Sequence, residues 1–290
     1  MSGRPAGAAV AVNLLGVVEH PSFGESPYRI DADGRPYVPV GDGGLVLGVR
    51  LGDPAFSAGG DHVAPGACLV HADDAARHAL ALYSCIGNRA EVRTGAAAGS
   101  SGAVLGKRGE GGRVIVGFAD DELARMRPGD QVTVRSQGQG YTPSWVPDDV
   151  TAMNLDPELP PIGVEPPGRS GRPIEVSVRS VLPAKVAGNG LGRPTASWDL
   201  DLQLTSEGQP WLRLGDLVAI TDIDARFNMG YRRGWLTIGV VVHGGSPLPG
   251  HGPGMTVILT GPGSAFRPIQ DTAGHTGLTA SMLNLQLPGR

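Results

Sequence analysis

Between Leu236 and Thr260 two histidines bracket a Gly/Pro turn: His243 closes the apolar run TIGVVVH, His251 sits in GSPLPGHGPG, and MTVILT follows. Imidazole titrates near neutrality and ligates metals, so at the mouth of a strand it can move a proton or hold an ion. Gly250, Gly252 and Gly254 leave the adjoining backbone bare for close approach by a ligand. Taken singly, either histidine could equally well end a strand or sit in a solvated turn. A third imidazole, His62, follows Asp61 in AGGDHVAPGACLVH, where a neighbouring carboxylate would orient the ring for base work or metal binding.

The acidic partners come in pairs. WDLDLQL puts Asp199 and Asp201 on one face of a strand, because side chains alternate with period two, and like charges so placed invite a cation or a proton. ITDIDARFN repeats that spacing with Asp222 and Asp224, compatible with a hard metal or with paired acid and base carboxylates. A wet strand face accounts for either pair equally well. Cys85, in YSCIGN, becomes a nucleophile only if a base or cation such as Arg89 depresses its pKa, and is inert if buried. Lys107, Arg108 and Arg113, in a glycine-rich hairpin, are candidates for holding an anionic group, with Asn88 and Asn189 as further substrate contacts. A solvated hairpin tip is the alternative for the basic residues.

Several standard chemistries lack their marks. GxxxxGK[ST] is unmet because Arg108 follows Lys107, and GxSxG, HExxH, CxxC and the dinucleotide fingerprint do not occur. No nucleotide cofactor is expected, while a divalent metal suits the His/Asp set. A net charge of -4 without a Lys/Arg cluster argues against nucleic acid as a partner. No stretch approaches the roughly 20 apolar residues that cross a bilayer, and two cysteines in 290 residues fit a reducing compartment, so a cytoplasmic protein is expected.

The elements that must position these side chains read as strands. Gly 46 and Pro 25 are scattered between apolar runs of strand length, the rhythm of a turn-rich β protein. The runs at 8–18, 45–51, 91–94, 103–106 and 112–118 predict a β-rich, sandwich-like N-terminal domain over residues 1–145. Short helices are predicted at Asp73–Tyr83 and Asp120–Met126. The Pro-rich stretch within 146–173 reads as a linker. Residues 174–290 then carry at least five strands, enough for a smaller C-terminal barrel or sandwich, making the fold mainly β.

The blocks GDHVAPG, YSCIGN, AGSSGAVLGK, GQGY, NLDPEL, GNGLG, DLDLQ, LGDLVAI, IGVVVH and GHGPG, in that order along nearly the whole chain, resemble the domain-of-unknown-function 4438 family, with this chain a divergent member. The resemblance implies a β-rich N-terminal domain followed by a smaller β domain, and no reaction. From the residues, the leading expectation is an enzyme acting on a small polar or anionic molecule through His62, His243 and His251, supported by the Asp pairs. Hydrolysis of an amide or cyclic amide is expected first. A cyclase, lyase or isomerase of specialised metabolism would use the same groups without water. The different-class alternative is a non-catalytic ligand-binding β protein, including a homo-oligomer whose histidine loops meet at an interface. Convergence of the histidines and an Asp pair in one place discriminates them.

Overall fold

The computed structural model describes residues 9–21, 23, 26–56, 60–165, 173–208, 211–274 and 276–285. In the first half these include β1 (Val12–Val18), β2 (Arg29–Ile30), β3 (Pro36–Tyr37), β4 (Leu45–Val46), β5 (Gly66–Val70), β6 (Arg89–Val92), β7 (Ser101–Arg108), β8 (Arg113–Gly117) and β9 (Gln131–Ser136). Helices α1 (Asp74–Tyr83) and α2 (Asp120–Arg125) fall where their sequence signals predict, and Asp73 caps α1 by accepting the Ala76 N–H at 2.8 Å.

The order β1-β9-β6-β7-β8-β5 closes on itself, because β1 pairs with both β9 and β5; β4 adds to the outside of β5. The unit expected as sandwich-like is therefore a closed six-stranded barrel. Its interior is small and branched, with Leu69, Val92, Val104, Val114, Val116, Val132 and Val134 all buried, and α1 lays Leu80 onto it. The closing contact is only two residue pairs long, Val17 opposite Val70 and Val18 opposite Leu69, too short to announce itself in a pattern.

The second half contains β10 (Thr151–Ala152), β11 (Val164–Glu165), β12 (Ile174–Val178), β13 (Ser180–Leu182), β14 (Leu200–Asp201), β15 (Leu217–Asp224), β16 (Gly230–His243), β17 (Gly254–Pro262) and β18 (Phe266–Gln270). One sheet runs β10-β17-β16-β15-β13, with β14 also on β17; β11, β12 and β18 form another. The Pro-rich segment read as a linker supplies β10 and β11 and buries Val146, Val150 and Ile162, so its described part is packed structure.

The two halves share a core. Cys68, Leu105 and Ile115 on the outside of the barrel pack in one cluster with Ile238, Val240, Val242 and Ile258. Strands covered on both faces read as unbroken apolar runs, which accounts for RVIVG in β8 and GVVVH in β16. Gly106 marks the closest approach: a Cβ there would collide with Val242 and Thr256.

Candidate active site

Three strands bring one row of residues together. In the ladder, Asp201 of β14 stands opposite Gly254 of β17, and Gly254 stands opposite His243 at the end of β16. A Cβ on Gly254 would fall on His243 Nε2 and Asp199, so the missing side chain is what lets the imidazole meet the carboxylates. His243 Nε2 lies 2.8 Å from Asp199 Oδ2 and 3.4 Å from Asp201 Oδ1. Asp199 is held in turn by the Gly109 N–H at 2.8 Å.

The barrel half supplies the other side. His62, on the loop before β5, has φ +55°, a left-handed conformation disfavoured for any residue with a Cβ. His62 Nε2 lies 3.0 Å from His251 Nδ1 and 3.6 Å from Asp201 Oδ2. His251 Nδ1 lies 2.9 Å from that same oxygen and 3.7 Å from Glu110 Oε1, on the β7–β8 turn. His251 and Glu110 are partly exposed, with side chains 18% and 36% accessible, whereas His62, His243, Asp199 and Asp201 are buried; the cluster meets solvent on the side of the first two.

Outer contacts fix the rings. His62 Nδ1 is 2.7 Å from Asp61 Oδ1, off the ideal hydrogen-bond direction, and Asp61 Oδ2 accepts from the Tyr37 hydroxyl at 2.8 Å and Arg29 at 2.9 Å. His243 Nδ1 lies 3.0 Å from the Gly244 carbonyl, which can only accept, so the tautomer assigned from this partner carries its proton on Nδ1. The 3.3 Å approach of the Gly254 N–H to that nitrogen is longer and weaker. Nε2 faces the Asp199 carboxylate, which likewise only accepts, so both contacts are satisfied together only when both ring nitrogens carry protons or another positive charge stands between Nε2 and the carboxylates.

The electrostatics answer that requirement with protons. Burial works against a charged His243, but Asp199 and Asp201 outweigh it and raise its pKa to about 9. The hydrogen bond to Asp201 raises His251 above its ordinary value despite partial burial. Burial also opposes ionised Asp201, yet His243, His251 and His62 together hold it well below the usual carboxylate range. Asp61 is likewise depressed, the contact with His62 overcoming burial.

The family model described as the domain of unknown function DUF4438, N-terminal, matches residues 28–160, and its C-terminal counterpart matches residues 167–277. The chain belongs to the DUF4438 family. It is similar to the solved structure described as "Crystal structure of TM1086", with 36% sequence identity and a TM-score of 0.86 over 92% of this chain and 95% of that one. No curated protein matches it.

In this DUF4438 chain the sequence candidates divide. His62, His243, His251, Asp199 and Asp201 converge, with Asn189 donating to Glu110 at 3.1 Å and Arg108 lying 2.9 Å from Asp42 and 3.6 Å from Glu110. The others lie in different contacts. Cys85 is buried outside the cluster, and burial pushes its thiol up to about 11. Asn88 is buried, accepting the Cys85 N–H and donating to Asp156 and to the Gln137 carbonyl. Lys107 is buried, its Nζ donating to the carbonyls of Leu82 and Ala196 and to Asn154 Oδ1. Arg113 is bidentate on Glu19. Asp222 accepts the Gly234 N–H, and Asp224 pairs with Arg226 and Arg232 at the opposite end of the β15–β16 hairpin from His243.

Glu110, Asp42, Arg29 and Tyr37 were not legible as site residues. Glu110 follows Arg108 in what reads as a wet turn, and the others stand far from His62 in sequence. The available signal was Glu110 itself, an acid within a glycine-rich turn already suspected of anion binding.

Proposed function

We propose that this protein is an enzyme that hydrolyses a small polar or anionic amide or cyclic amide, with the three-histidine cluster as its reaction centre. The observation that carries the reading is convergence: three imidazoles and the carboxylates of Asp199, Asp201 and Glu110, drawn from both halves of the fold, meet at a point that opens to solvent on one side. Scattered ends of strands would have favoured a scaffold.

Positive charge gathered between His243 and the two aspartates polarises a carbonyl brought beside it and stabilises the oxyanion that forms as water adds. His251, at the mouth and held by Asp201, takes the proton from the attacking water and returns it to the leaving nitrogen. Asp61 keeps the His62 ring in place, with Tyr37 and Arg29 fixing Asp61. Arg108, buried between Asp42 and Glu110, holds both carboxylates in place beside the cluster.

The test is a hydrolysis screen with linear amides, lactams and cyclic imides bearing a carboxylate, run on the full chain and on His251→Ala. Turnover of one class, reduced about 10²-fold or more in the variant, is the expected result. Equal turnover in both proteins removes His251 from the chemistry; no hydrolysis of any class removes the reaction.

A further inference from the structure

The donor atoms of the cluster fall into two sets rather than one. His62 Nε2, His251 Nδ1, Asp201 Oδ2 and Glu110 Oε1 face one point, with separations of 2.9, 3.0, 3.6 and 3.7 Å. His243 Nε2, Asp199 Oδ2 and Asp201 Oδ1 face another, with His243 2.8 and 3.4 Å from the two carboxylates. Donors around a divalent ion at about 2.1 Å stand roughly 3 to 3.5 Å apart, and the two sets lie close to that spacing, between 2.8 and 3.7 Å. Asp201 contributes one oxygen to each.

We propose that the cluster is a two-metal centre, with Asp201 bridging an ion held by His62, His251 and Glu110 and a second ion held by His243 and Asp199. Imidazole and carboxylate donors suit zinc, manganese or a similar divalent transition metal. A bridging carboxylate sets such ions about 3.5 to 4 Å apart. The proposal deepens the hydrolytic reading and rests on it for the role of the ions, which would lower the pKa of the attacking water and leave His251 as a ligand in place of the base it is in the ion-free scheme; their number is read without substrate.

Three further observations point to cations here. Asp42, Asp61, Glu110, Asp199 and Asp201 are five carboxylates faced by the two guanidinium groups of Arg29 and Arg108, so that in a mostly buried place the balance falls to what the three imidazoles hold, protons or metal ions. His62 and His243 each turn the nitrogen remote from the cluster to a carboxylate or a backbone carbonyl, the outer-shell pattern that aims Nε2 at a metal. His251 Nδ1 lies within 3.0 Å of both His62 Nε2 and Asp201 Oδ2, and a single ring proton cannot satisfy two such neighbours, whereas one ion accepts all three donors.

The experiment counts metal in untagged full-length protein, stripped with chelator, titrated with Zn²⁺ or with Mn²⁺ alone, and analysed by mass spectrometry of the metal and by calorimetry. Wild type is expected to take up two ions per chain. Asp199→Asn and Glu110→Gln should each fall to one, and Asp201→Asn should weaken both steps at least tenfold. Glu110→Gln changes a partly exposed turn residue, so it reports even if a buried variant fails to fold. Saturation at one ion overturns the bridge, and no binding overturns the site. Two ions that persist in both Asp199→Asn and Glu110→Gln place the metal elsewhere and overturn the ligand assignment. Metal uptake without amide hydrolysis would refute the reaction and keep the centre; hydrolysis with fewer than two ions would do the reverse.

Discussion

Asp199/Asp201 and Asp222/Asp224 are written with the same spacing, and the fold gives them opposite lives. The first pair is buried beside three imidazoles, and among the described residues no lysine or arginine forms an ion pair with it. The second lies at the far end of the β15–β16 hairpin, where Arg226 and Arg232 pair with Asp224 and stack over Trp235. Burial costs a carboxylate far more than exposure, so a buried pair demands a specific counter-charge while a surface pair takes whatever side chain is near. What faces the carboxylates, and not their interval, decides whether they join a buried cluster or a surface ion pair.

Removing a carboxylate from each pair gives the largest contrast. Asp201→Ala should lower any amide-hydrolysing turnover by about 10³-fold, as loss of a group at the reacting centre does, while Asp222→Ala leaves it unchanged. Equal losses in steady-state kinetics would break the comparison. Next, Asp61→Asn, which touches only the outer side of His62, should weaken metal uptake about 10- to 100-fold by titration calorimetry. Gly254→Ala should cost about 1 to 3 kcal/mol in urea denaturation because its Cβ overlaps His243 Nε2 and Asp199. A neutral result there would mean that the row across β14, β17 and β16 is looser than its ladder.

The smallest effect belongs to the surface pair. Arg226 and Arg232 outweigh burial and hold the Asp224 carboxyl below its ordinary value. Its stabilising contribution is therefore complete above the ordinary carboxylate pKa and fades as pH falls through the lower folded value. Asp224→Asn should cost at most about 0.5 kcal/mol at neutral pH, and the difference from wild type should vanish in strong acid and shrink in high salt. Denaturation midpoints across pH and salt check both signs.

Much of this was legible in the residues. Apolar runs ending at His243 and opening at Gly254 mark real strand ends, and Asp73 marks a helix start because a capping side chain is a local signal. Asp199 and Asp201 share a face as period two requires, although only residues 200–201 form ladder there. What was hidden is long-range. Closure of the barrel rests on two residue pairs, the bracing of Asp61 by Tyr37 and Arg29 spans 24 and 32 residues, and the burial of Cys85 and Asn88 depends on neighbours from Asp156 and Gln137. Lys107 misled for a related reason: three internal oxygens solvate its ammonium, and a lysine in a glycine-rich hairpin gives no hint of them.

The cluster is divided between the halves of the fold, with His62 and Glu110 on one side of the seam and Asp199, Asp201, His243 and His251 on the other. Neither half alone, cut free or fused to another protein, carries a complete set. Whatever occupies the cluster clamps the seam, so that prying the halves apart costs more as the occupant's concentration rises. The unit that has to be inherited intact is therefore the joint: a slip of a single residue between β7 and β16 would leave two sound halves and no assembled cluster.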